Sequence, residues 1–238
     1  MDSTRKIAVT AGVVFIIATV AVLLAGVFVP DLTGPDYLTS LSAHAGQVGA
    51  GALLFLIAYF ASAGIAVVMY PVMKTWSAGL ALGSVIFRAI EAVFYMVALV
   101  CLLSLVTLGG QFTAAGAADQ ASLQAVGDLL LSLRQHASLA AVFAFSVGAF
   151  MYYYLFLQSR LIPRWLSGFG IAAILSMLAA CVLALFSDNP VSGYIPLAFP
   201  IFLQEMVLAV WLIVRGFAPR VSGARSATPE TGALLSAS

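Results

Sequence analysis

Two full charges stand three residues apart in the stretch FRAIEAVFYM, residues 87–96, inside an otherwise apolar run. If that run is helical, Arg88 and Glu91 share a face at i,i+3 and their side chains can touch. Ser84 and Tyr95 extend the face by one turn each way, so Ser84, Arg88, Glu91 and Tyr95 form a polar stripe. A further acid, Glu205, follows Gln204 in a second apolar run, PIFLQEMVLAVWLIVRG. A guanidinium offers a planar fork to an anionic headgroup, and a carboxyl that exchanges a proton can couple occupancy to pH. With one arginine for two glutamates, desolvation and like-charge repulsion act on both acids, and Glu91 and Glu205 are expected to titrate as a coupled pair.

Other chemistry-bearing residues are sparse. His44 and His136, the only histidines, fall near the ends of apolar runs, and two such groups can ligate a haem or a metal. Neither H-E-x-x-H nor paired-cysteine spacing accompanies them, so capping or interfacial roles are expected, with no metal and no cofactor. Cys101 and Cys181 lie within apolar runs, where a thiol behaves as a small hydrophobe. The aromatic run YYYLF, Tyr152 to Phe156, points all around a helix, which limits it to one or two rings on any one face and favours packing and interfacial anchoring. No nucleophile with its base and no phosphate-cradling loop is evident, so an enzyme is not the favoured class.

The elements that must position these groups follow from composition. The 238 residues are 63% hydrophobic and 8% charged, against about 45–50% and about 25% in soluble domains, so water cannot be the only solvent. With a formal net charge of +1, the chain has no strong pull toward nucleic acid. Crossing the hydrocarbon takes about 20 apolar residues, and six runs qualify, roughly 8–29, 46–73, 79–107, 137–158, 166–187 and 194–217. The expected fold is an all-α six-helix transmembrane bundle, residues 1–217, followed by a disordered tail at 218–238. Arg5 and Lys6 precede the first run as in a signal peptide, but its apolar stretch is too long for one.

Lysine and arginine concentrate in alternate connections, at Arg5, Lys6, Lys74, Arg160, Arg164, Arg215, Arg220 and Arg225, whereas Asp31, Asp36, Asp119, Asp128 and Asp188 collect on the other side with Arg134. By the positive-inside bias both termini are expected to be cytoplasmic. The turns MKTWSAG and SRLIPRW carry Trp76 and Trp165 at headgroup depth. In VPDLTGPDY, Asp36 is a candidate N-cap from which the second helix starts early and projects beyond the lipid. Leu123, Val126, Leu130 and Leu133 recur at helical spacing, predicting an amphipathic helix on the outer surface that runs into the fourth span.

These placements fix depth. At a rise of about 1.5 Å per residue, Arg88 lies about 16 Å from Ser77, and Glu205 about 15 Å from Arg215, so both fall near the middle of a hydrocarbon slab about 30 Å thick. A charge there costs about 2.5–3.5 kcal/mol or more, which forces the three groups inward and together. Pro196 and Pro200 precede Glu205, and the expected break at Pro200 fits either an inert kink or the interrupted helix of a transporter site.

Several stretches together resemble one known family: STRKIA with the following Ala11-Gly12, FRAIEA, Arg134-Gln135-His136 and Gly148 of the fourth span, LIPRWLSGFG, and PIFLQEMVLAVWLIVRG. They are similar to the bacterial membrane proteins grouped under the domain-of-unknown-function label 4386. The resemblance implies a six-span bacterial inner-membrane protein, with Arg88, Glu91 and Glu205 where that pattern places polar residues. It implies no activity.

Three functions compete on these grounds. A small molecule, an ion or a lipid binds, or is carried, at Arg88, Glu91, Glu205, Gln204, Tyr95 and Ser84; or the charges form an ion pair that only fixes helix packing; or a glutamate acts as acid or base in a lipid-modifying enzyme. The lipid bilayer is the one partner that the composition requires, and oligomeric state is not encoded legibly. For the orientation, an impermeant thiol reagent applied to intact cells is expected to label Asp119→Cys but to label Lys74→Cys only after permeabilisation.

Overall fold

The computed structural model describes residues 3–187 and 189–218. Asp188, Arg220, Arg225 and all of the expected tail except Ala218 lie outside the described residues. The described chain is helical without strands, and six of its helices are long and apolar enough to cross a membrane. They are α1 (Ser3–Val27), α3 (Ala45–Met73), α4 (Ala78–Ala114), α5 (Ala117–Ser159), α6 (Arg164–Leu185) and α7 (Ile195–Val214). The short α2 (Tyr37–Ala43) and a single 3₁₀ turn, Val191–Gly193, complete the set.

The six long helices form a ring. Each packs on its neighbour in sequence, and α1 closes the ring against α7. The side on which α1 begins is here termed proximal, and the opposite side distal. Proximally the ring is filled by one core cluster that draws on all six helices, including Phe15, Met69, Tyr152, Phe156, Leu166 and Leu208. Distally the packing divides in two. One cluster joins α2, α3 and α4 through Leu38, Leu41, Val48, Leu102 and Leu105, and a smaller one joins α5 and α6 through Leu139, Val142 and Cys181. Cys101 and Cys181 are both buried and free.

Two specific contacts mark the closure of the ring between α1 and α7. Arg5, in the first turn of α1, donates from Nη2 to the carbonyl of Ile213 at 2.6 Å and of Val214 at 3.2 Å, and from Nη1 to that of Leu212 at 3.3 Å. These carbonyls end α7 and have no partner of their own along the helix, so the cation caps the negative end of the helix. Deeper in, Gly12 lies so close to α7 that a β-carbon there would stand 2.6 Å from the carbonyl oxygen of Ala209. Only glycine permits that approach.

Several helix ends follow ordinary local rules. Ser77 caps α4, its hydroxyl oxygen accepting the Leu80 N–H at 3.3 Å. Arg160 ends α5 in the left-handed region at φ 55°, and Pro163 precedes α6. Trp76 and Trp165 are both exposed at the proximal rim.

The distal side departs from the sequence expectation in three ways. The second helix does not start early as one piece: α2 is a separate helix, and the chain bends at His44 before α3 begins. Asp36 occupies the N-cap position of α2 without making a side-chain cap bond. The amphipathic segment is continuous with the fourth span as α5, but its packed face runs through Leu123, Gly127, Leu130 and Leu131, leaving Val126 and Leu133 exposed. Gly127 sets this register because the Tyr37 hydroxyl and the Leu38 side chain fill the place where its side chain would be. Tyr37 donates to Asp128 Oδ1 at 2.9 Å, and Gln124 Nε2 donates to the same oxygen at 2.9 Å. Burial, with the neighbouring Asp128, pushes the Tyr37 hydroxyl well above its usual range and keeps it a donor.

The α1–α7 contact gives a test with an internal control. Gly12→Val is expected to destabilise the purified protein by about 1–3 kcal/mol, the usual cost of overpacking. Gly26→Val, at a position in α1 with nothing within 4 Å of the added carbon, is expected to leave thermal unfolding in detergent unchanged.

Candidate functional site

The polar stripe of α4 lies where the proximal cluster gives way to the divided distal packing. Arg88 Nη1 stands 3.1 Å from Glu91 Oε2 one turn along the same helix. Both residues are nearly inaccessible, at 1% and 3% exposure. From α3, the Ser62 hydroxyl donates to Glu91 Oε1 at 2.9 Å. From α5, the ring of Phe145 lies under the guanidinium, with Cζ 4.8 Å from its centroid, a cation–π contact. Gly148, one turn further along α5, leaves room for the arginine stem: a β-carbon there would meet Arg88 Cγ at 3.3 Å and Phe87 Cβ at 3.1 Å.

These contacts do not satisfy the pair. Nη1 and Oε2 are close in distance but are not aligned as a hydrogen bond, so Arg88 Nε, Arg88 Nη1 and Glu91 Oε2 are buried without hydrogen-bond partners among the described residues. An orphaned buried polar group costs about 1–3 kcal/mol, and more when charged. Beside them is a cavity of about 320 Å³, within the range of small-molecule sites. All six long helices contribute to its wall.

The residues singled out in sequence separate into two sets. Arg88, Glu91, Tyr95 and Glu205 all line the cavity. Glu205 reaches it from α7, and its carboxylate accepts from the Tyr152 hydroxyl at 3.4 Å. Tyr95 stacks on Tyr59 of α3, with ring centroids 4.9 Å apart and planes 7° from parallel. Ser84 and Gln204 do not line the cavity. The Ser84 hydroxyl is buried and donates back to the Ala81 carbonyl at 2.8 Å. Gln204 accepts from the Tyr153 hydroxyl and donates from Nε2 to the Leu166 carbonyl at 3.3 Å, joining α5, α6 and α7.

Ser62, Tyr59 and Phe145 were invisible as site residues in the sequence. Ser62 reads as a small packing residue four positions after Ala58, and nothing local indicates that it faces an acid on another helix. The tyrosine run yields two side chains that are fully buried, Tyr152 and Tyr153, and a third, Tyr154, that is exposed. Their hydroxyls reach Glu205 and Gln204, so the run does more than pack and anchor. His44 Nδ1 lies 2.8 Å from the Ser40 carbonyl at the bend between α2 and α3, and His136 Nδ1 lies 3.4 Å from Ser132 Oγ. Among the described residues, no three His, Cys, Asp or Glu side chains gather as a metal group. Pro196 falls in the first turn of α7, where no helical bond is lost, and α7 continues unbroken through Pro200 to Glu205. Glu205 thus projects from regular helix.

A family model described as a domain of unknown function (DUF4386) matches residues 10–216. The chain belongs to the DUF4386 family. The matched stretch takes in the whole cavity wall of this DUF4386 protein, together with the Gly12 contact that closes the ring. Among curated proteins and among solved structures, none matches the chain. With its six apolar helices, the DUF4386 chain is a multi-pass membrane protein with a buried Arg88–Glu91 ion pair.

Removing one partner of a buried pair strands the other, which costs about 3–5 kcal/mol, whereas replacing both by apolar residues is often neutral. Arg88→Met is therefore expected to lose stability on that scale. The double variant Arg88→Met with Glu91→Met is expected to recover most of it, as measured by equilibrium unfolding of purified protein in mixed micelles.

Proposed function

We propose that this protein binds a small molecule in the cavity among its six spans, with the Arg88–Glu91 pair and Glu205 as the polar recognition groups. The observation that carries this reading is the coincidence of unpartnered buried atoms, Arg88 Nε, Arg88 Nη1 and Glu91 Oε2, with a cavity of about 320 Å³ at the same place. A pair that served only to fix packing would be sealed by its neighbours, as Gln204 is by Tyr153 and the Leu166 carbonyl. Ser62 and Tyr95 complete the polar wall. The reading covers a binding protein and a carrier alike, since both need such a site.

The same proposal includes placement in a bacterial inner membrane with the proximal side cytoplasmic. Support comes from the basic residues of the proximal turns, Lys74, Arg160, Arg164 and Arg215, against Asp31, Asp36, Asp119 and Asp128 on the distal side. Arg88 and Glu205 then lie close to mid-membrane, reached from helices that run in opposite directions.

A ligand that binds only the folded state stabilises it by about 2.7 kcal/mol at a hundredfold excess over its Kd. Fractions of a bacterial membrane and metabolite extract are expected to include one that raises the melting temperature of the purified wild-type protein. Arg88→Lys keeps the charge but loses the fork and is expected to remove that shift while folding normally in its absence. An extract that shifts wild type and Arg88→Lys equally, or shifts neither, would refute the proposal.

A further inference from the structure

The wall of the cavity shows from where its occupant comes. Every described residue that lines it lies within one of the six long helices, and among the described residues none belongs to a connection between them. Towards the proximal side the shared core cluster blocks the way to water, with Tyr152, Phe156 and Leu166 at most 1% exposed. Of the described lining residues, only two are exposed at the surface of the bundle, Val22 of α1 at 40% and Phe202 of α7 at 37%. Val22 is five residues before the distal end of α1 and Phe202 seven after the distal start of α7. At about 1.5 Å per residue, the lip lies about 8–10 Å inside the helix ends, at hydrocarbon depth. It is therefore a lateral, apolar opening in the distal leaflet, on the same α1–α7 seam that Gly12 and Arg5 close proximally.

The polar end of the cavity shows what kind of head it takes. Two carboxyls, Glu91 and Glu205, already face one guanidinium, so an anionic head would bring a third acid into a site of low dielectric. The unpartnered atoms at the pair are two donor nitrogens, Arg88 Nε and Nη1, and one acceptor oxygen, Glu91 Oε2. A hydroxyl meets both kinds at once, accepting from the arginine and donating to the glutamate. The volume, about 320 Å³, is room for about ten waters at about 30 Å³ each. Inside the lip it accommodates a compact head and the first part of one chain, with the remainder left in the lipid.

We infer that the occupant is an uncharged, hydroxyl-bearing, single-chain amphiphile that enters from the distal leaflet between α1 and α7, its head on Arg88 and Glu91 and its chain leaving past Val22 and Phe202. This rests on the binding reading above and names its ligand class. The anionic headgroup suggested by an arginine considered alone is replaced here by a neutral one, because Glu91 already serves as the counterion.

The test uses the full chain in nanodiscs and a photoreactive dodecanol bearing an alkyl diazirine. Labelling is expected to concentrate on the peptides of α1 and α7 that contain Val22 and Phe202. Excess monododecanoyl glycerol is expected to suppress it. Dodecanoate is expected to compete at least about tenfold more weakly, and glycerol not at all. Ala198→Trp, which places an indole in the cavity from α7 and leaves the ion-pair residues themselves unchanged, is expected to abolish the focused label, and its unchanged melting temperature reports that the bundle is intact. Dodecanoate competing as well as the glyceride would overturn the neutral head, and competition by glycerol would overturn lateral entry. Label spread evenly over the lipid-facing surface and indifferent to Ala198→Trp would overturn the amphiphile. In each of these cases an Arg88-dependent melting shift from some other fraction leaves the binding reading standing, whereas its absence with every fraction removes both.

Discussion

Hydrocarbon does not accept a lone charge, and in this protein the guanidinium of Arg88 crosses into it with a counterion on its own helix. Glu91, one turn away, makes the pair a property of α4 alone. The rest of the ring is arranged around that stripe. Ser62 of α3 bonds the far carboxylate oxygen, Phe145 of α5 lies beneath the cation, and Gly148 gives the stem its space. Glu205 of α7 faces the same cavity and is tied instead to Tyr152. The pair is thus held from several sides and yet incompletely bonded, a combination that suits a site better than a strut.

The two halves of the ring interior differ because of what their helices carry. Proximally, aromatic, methionine and aliphatic side chains from all six helices meet and close the centre. Distally, α2 gathers α3, α4 and the start of α5 into one cluster, while Leu139, Val142 and Cys181 join α5 to α6 in another. The cavity lies between these clusters and the proximal core, and the stacked rings of Tyr59 and Tyr95, from α3 and α4, form part of its wall.

Much of this was legible in the sequence, and for simple reasons. Long apolar runs locate helices because a membrane demands them, and i,i+3 spacing places Arg88 against Glu91 regardless of the fold. Counting residues from Ser77 and from Arg215 put Arg88 and Glu205 at one depth. Facing was harder to read. Gln204 and Glu205 are neighbours, but successive side chains on a helix diverge by about 100°, so only one of them reaches the cavity, and choosing between them requires the position of α5. Ser62 acts across a helix interface that no local pattern reveals. The distal length of α4 escaped because a helix can continue past the lipid without remaining apolar, whereas that of α5 was legible in its leucine spacing; Gly127 escaped because a glycine marks no apolar face.

The two contacts that complete the ring join the first of the six long helices to the last, some two hundred residues apart by their numbering. During synthesis, α1 leaves the ribosome long before α7, so the carbonyls that Arg5 caps do not yet exist when Arg5 reaches the membrane. α4 has no such wait, since its cation brings its own acid into the translocon. The charge on α4 is therefore balanced as soon as that helix forms, whereas the ring closes only once the first and the last of the six long helices are both in place.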